Sequence, residues 1–92
     1  MITTIVLMKA EPKALTQAAT RIAGFEGVQE VYSVSGEWDL VAMVRVAEYE
    51  KIAEVVTNQI ASVPGIERTM TLTAFRAYSK KDLEQAWDIG LE

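Results

Sequence analysis

The sequence predicts a small α+β sandwich on the ferredoxin-like βαββαβ plan, dimeric through sheet packing, with a short extra C-terminal helix. Three observations lead there. The pattern strand, helix, glycine, strand occurs twice within 92 residues. The two copies meet at one turn, Gly36-Glu37-Trp38-Asp39. Half of the residues are apolar, a large share for one small domain. Some element is therefore covered on both faces, and a second copy is the natural cover.

Each element has a local cause. Ile2 to Lys9 is rich in β-branched residues and reads as a strand. Pro12 suits a first helical turn, where its missing N–H costs nothing. Leu15, Ala18, Ala19 and Ile22 recur at helical spacing, and Gly24 stands where a left-handed C-terminal cap is expected. Val28 to Ser35 is a second strand and Leu40 to Val46 a third, with room between them only for a hairpin turn. Glu48 to Ser62 carries the stripe Ile52, Val55, Val56, Ile60 and Val63, and Pro64-Gly65 stops it. Ile66 to Ala77 is the fourth strand. Ser79 can cap a last helix with Asp82 as its reciprocal partner, Leu83, Ala86 and Trp87 as its apolar edge and Gly90 at its end. The domain covers residues 1–79, and 80–92 form a helical extension.

Right-handed crossovers put strands one and three in the centre of the sheet. Ile5-Val6-Leu7-Met8 and Leu40-Val41-Ala42-Met43-Val44 are apolar on both faces, as central strands require. The fourth strand alternates, with Met70, Leu72 and Ala74 on one side and Thr69, Thr71 and Thr73 on the other. The apolar set is expected to face the helices. The threonines, with Ser33 and Ser35 of the second strand, are then expected on the open face or its rim. An uncovered apolar sheet face marks an interface, met here by a second sheet in a symmetric dimer.

Composition excludes several classes of function. The net charge is −4, with 9 basic and 13 acidic residues, and the basic ones are scattered, which argues against nucleic-acid binding. There is no cysteine for a thiolate or a disulfide, and no histidine for neutral-pH base catalysis or metal ligation. No cofactor or metal is implied. The N-terminus lacks the features of a signal peptide and no stretch is long enough to span a membrane, so a cytoplasmic protein is expected.

Candidate chemistry centres on the turn. Gly36 permits a positive φ and close backbone approach. Asp39 either accepts hydrogen bonds from nearby backbone amides or, with the amides beside Gly36, holds the charged groups of an amino-acid-sized ligand. Trp38 reads as a packing or interface residue. Thr69 and Thr71 offer hydroxyls to a zwitterion, or simply follow β-propensity. Glu37 and Asp39 sit side by side on a solvated turn, which does not suit an acid–base pair. Arg45, Arg68 and Arg76 have the fork that binds a carboxylate bidentately, but are expected rather to pair with Glu30, Glu67 or a partner chain at the surface.

Two segments carry a family resemblance. Val31-Tyr32-Ser33-Val34-Ser35-Gly36-Glu37-Trp38-Asp39-Leu40 resembles the hairpin of the Lrp/AsnC regulators, with its V-x-x-x-x-G-x-x-D pattern followed by an apolar strand. Val63-Pro64-Gly65-Ile66-Glu67-Arg68-Thr69-Met70-Thr71 is similar to their P-G-V/I-x-x-T-x-T segment. The likeness is to the effector-binding (RAM) domain and runs from Met1 to about Ser79. It implies sheet-paired dimers that assemble into rings, with a small effector, often an amino acid, bound between dimers. Carried over by position, Gly36 and Asp39 hold the effector, Thr69 and Thr71 lie opposite, and Ser35 and Trp38 sit beside them. The chain starts at the first strand of that domain, so a stand-alone form without the helix-turn-helix domain is expected. Such a form would act on transcription indirectly, through full-length family members. The rival reading is a small dimeric enzyme, such as a cofactor-independent monooxygenase or isomerase.

Overall fold

The computed structural model describes residues 1–80. The expected terminal helix, with Asp82, Leu83, Ala86, Trp87 and Gly90, lies outside the described residues. Strand β1 is Ile2–Ala10, followed by a 3-10 turn Pro12–Ala14 and helix α1, Leu15–Ala23. β2 is Val28–Ser33 and β3 is Leu40–Val46. The second helix starts as α2, Glu50–Ala53, widens into a π-helix Glu54–Gln59, and closes with a 3-10 turn Ile60–Ser62. β4 is Ile66–Thr73. The strands form one antiparallel sheet in the order β2-β3-β1-β4, which is the predicted α+β plan.

Both helices lie on one face. Along β1, Thr4, Val6, Met8 and Ala10 are buried beneath them. They join Leu40, Ala42, Val44 and Val46 of β3 and the helical residues Ala18, Ile22, Ile52, Val55, Val56 and Ile60 in one core. The π-form has a packing consequence. Its i→i+5 bonding, Ile60 N–H to the Val55 carbonyl, carries Val55, Val56 and Ile60 together into that core.

The second strand and the fourth end sooner than their sequences predict, at Ser33 and Thr73. Gly24 is right-handed, with φ −86°, so it is not the expected left-handed cap. The Gly24 and Phe25 amides still bond back to Arg21 and Ile22, and the reversal falls later, at Gly27 with φ +94°. Gly65 repeats that geometry with the same φ. The Gly27 and Gly65 carbonyls accept matching 2.8 Å bonds from Arg45 and Glu11. Each is followed by a bulge, at Gln29 opposite β3 and at Glu67 opposite β1. The internal repeat is thus realised in the backbone down to its irregularities.

The side-chain rows of β4 are the reverse of the expectation. Met8 pairs with Thr69, Val6 with Thr71 and Thr4 with Thr73, and directly opposed residues share a face. The threonines therefore lie on the helix side, at the sheet edge. Val31 and Ser33 do likewise, opposite buried Ala42 and Leu40. Met70 and Leu72 stand beside Leu7 and Ile5 on the open face, 43% and 47% exposed. The reason is the register of β1, which places its buried row opposite the threonines.

Two measurements follow from this packing. A Cβ at Gly65 would sit 2.3 Å from the Ala14 Cβ at a backbone angle L side chains avoid, so Gly65→Ala should cost at least about 2 kcal/mol in urea unfolding. Thr4 is fully buried and its hydroxyl has no partner among the described residues. Thr4→Val keeps the shape and removes that group, so it should raise stability by about 1 kcal/mol, read from the same titration.

Candidate functional site

The turn between β2 and β3 is held by backbone and side chain together. Val34 N–H donates to the Asp39 carbonyl at 3.0 Å and closes the loop. Asp39 N–H donates to the Met8 carbonyl at 2.9 Å, extending the β1–β3 ladder. The Asp39 carboxylate accepts the Ala10 N–H at 2.9 Å in a part-buried setting. So the conformational role available to Asp39 is filled: it clasps the hairpin to the end of β1. Gly36 has φ +113° and open space where a Cβ would be. Only its backbone angle demands glycine, and its amide stands exposed at the tip.

Trp38 is half-buried against two cations. The Lys9 ammonium lies 5.9 Å and the Arg68 guanidinium 5.4 Å from its ring centroid. The Lys9 ammonium also donates to the Glu37 carbonyl. The expected pairing of Arg68 with Glu30 or Glu67 is not found, because the guanidinium lies over the indole. Among the described residues the ion pair present is Lys51–Glu54, 3.3 Å apart on the second helix. Glu30 instead accepts the Tyr32 hydroxyl, and this bond, with slight desolvation and the carboxylate's charge, raises the Tyr32 pKa.

The six predicted site residues form two groups. Ser35, Gly36, Trp38 and Asp39 share the loop. Thr69 and Thr71 lie across β1, since Met8 pairs with Leu40 on one side and Thr69 on the other. Two strand spacings, roughly 10 Å, separate Thr69 from the loop's base. The two best-formed clefts among the described residues include neither group. A cleft of about 360 Å³ lies between the α1–β2 connection, the end of β3 and the second helix, lined by Glu26, Gly27, Glu48, Lys51 and Gln59. Lys9 and Arg68 are the members of the turn environment that residue-level reading misses. They meet only through strand register, for which a single strand's pattern holds no signal.

The fold is that of a ligand-binding domain related to transcriptional regulators. The Lrp/AsnC ligand binding domain matches residues 3–83, and the chain belongs to that family. It is 37% identical over 76 residues to an uncharacterized HTH-type transcriptional regulator, PF0250, of Pyrococcus furiosus, covering 79% of this chain and 51% of the relative. The chain thus spans about half the length of the curated relatives it matches. Among solved structures, TTHA0845 of Thermus thermophilus superposes with a TM-score of 0.83 at 46% identity, covering 87% of this chain and all of that one. A feast or famine regulatory protein of M. tuberculosis complexed with L-methionine superposes with a TM-score of 0.72 at 25% identity, covering 88% of this chain and 55% of that one. No helix among the described residues is long and apolar enough to cross a membrane.

Removing the clasp should be measurable apart from any ligand. Asp39→Ala leaves the Ala10 amide without its acceptor and should cost about 1–2 kcal/mol. Native-state hydrogen exchange should show faster exchange at Ala10. Unchanged protection there would mean the clasp does not hold in solution.

Proposed function

We propose that this chain is a sensing and assembly module that binds a small amino-acid-like effector at the Gly36 turn and carries out no reaction. The observation that carries the reading is the family match, which spans the turn and the Pro64-Gly65 segment with its threonines. The relative crystallised with L-methionine supports an amino acid as effector. The regulators among the relatives support a non-enzymatic role.

Assembly is part of the proposal. Ile5, Leu7, Val41, Met43, Met70 and Leu72 share the open face by register, with no helix layer over them among the described residues. Two such faces pack into a symmetric dimer. In one chain the loop group and the threonine group stand two strand spacings apart, across β1. A ligand crevice is therefore completed by a neighbouring chain, with Ser35, Gly36, Trp38 and Asp39 on one wall and Thr69 and Thr71 on the facing one. An effector bound across that junction shifts the assembly equilibrium by its differential affinity for the joined and separate states. Control of transcription is then indirect, in the cytoplasm, through co-assembly with full-length family members. The net charge of −4 fits a module that does not itself contact nucleic acid.

The test is a thermal-shift screen of the amino acids, paired with native mass measurement. A true effector at 100 times its Kd adds about 2.7 kcal/mol to stability, which for a domain of this size raises Tm by about 10–20 °C. The same compound is expected to change the oligomer distribution. A chain that stays monomeric at micromolar concentration, with no amino acid moving its Tm, would sink the proposal.

A further inference from the structure

We propose that Lys9 and Arg68 form an anion subsite beside the Gly36 turn, so that the effector is an amino acid bearing a carboxylate side chain. This rests on the effector reading above and names its ligand class. The starting point is a placement that a fold on its own disfavours. Lys9 of β1 stands directly opposite Arg68 of β4, on one face. Like charges in that relation repel.

No ion pair among the described residues cancels the two charges, and the nearby Asp39 carboxylate is engaged by the Ala10 amide instead. Neither side chain has a carboxylate in salt-bridge range among the described residues. What holds them is electrically neutral: the Trp38 ring lies near both, and the Glu37 carbonyl accepts from Lys9. A π-face and a carbonyl orient cations without neutralising them. Two positive charges are therefore gathered at one point on a chain whose net charge is −4. Arg68 makes no side-chain hydrogen bond among the described residues, so its planar fork is available for a carboxylate.

The location ties the pair to the effector turn. Lys9 is bonded to the turn through Glu37, and its neighbour Ala10 is bonded to Asp39. A simple zwitterion brings balanced charge and leaves the pair uncompensated. A ligand with one further carboxylate presents net negative charge there. Trp38 acts as a positioning residue, fixing both cations toward the mouth of the turn.

Isosteric ligands isolate the charge. Calorimetry on the whole chain would compare L-glutamate with L-glutamine and L-aspartate with L-asparagine, at low and high ionic strength. The acids are expected to bind about tenfold tighter than their amides at low salt, with the gap narrowing as salt rises. Lys9→Gln and Arg68→Gln should each shrink the gap, and by removing one of two repelling charges neither should lower Tm. Trp38→Leu should shrink it as well, with both cations retained. Equal binding of acid and amide overturns the subsite and leaves the effector reading intact. Absence of binding by every amino acid overturns both. Loosening of the dimer by Arg68→Gln with an unchanged acid preference also overturns the subsite, and gives the pair to a carboxylate of the second copy.

Discussion

β1 is bonded on both sides, to β3 and to β4, and its alternation sets what each face of the sheet presents. Thr4, Val6, Met8 and Ala10 point into the core, so Ile5, Leu7 and Lys9 point away from it. The neighbours follow by register. The β4 threonines take the helix side, Met70 and Leu72 take the open side, and Arg68 arrives opposite Lys9. A slip of one residue would exchange every one of these assignments, and burial of the Met8 row forbids it.

The turn extends this same constraint. Asp39 bonds the end of β1 twice, by its amide to Met8 and by its carboxylate to Ala10. A residue that family resemblance assigns to a ligand is thus also a clasp of the fold. Under the proposed function the two uses are coupled: an effector group drawn to Asp39 competes with, or shares, the Ala10 amide. Ligand binding would then be felt in the hairpin and along β1, the strand that borders the apolar face. That route from metabolite to assembly needs no distant relay.

The two halves agree closely where they turn and differ where they enter their helices. Gly27 and Gly65, the bulges at Gln29 and Glu67, and the buried pair Ile22 and Ile60 correspond. From Ala10 to Ile22 is twelve residues, whereas from Val44 to Ile60 is sixteen, four more. In the first half Ala14 packs tightly over Gly65. In the second half the longer connection and the π-helical segment leave the cleft beside Gly27. The repeat therefore conserves its sheet and varies its helical layer.

Much of this architecture follows from local pattern. Periodicity identifies both helical stripes, since Ile52, Val55, Val56, Ile60 and Val63 are all buried, and the β-branched runs identify all four strands. Gly36, set between two apolar runs, marks the hairpin, and the motif V-x-x-x-x-G-x-x-D marks the family. Other features were decided only when strands met. Thr69 to Thr73 alternates with equal clarity whichever face it takes, because alternation fixes which residues group together but not which group is buried. Lys9 and Arg68 are far apart in sequence and become neighbours through the β1–β4 register alone. The Asp39 carboxylate acquires its partner in the same way, from the strand end laid beside it. Local chemistry thus determined the elements and their two-sidedness, while pairing across β1 determined the orientation of each side, because a strand's period of two is symmetric until a neighbour breaks it.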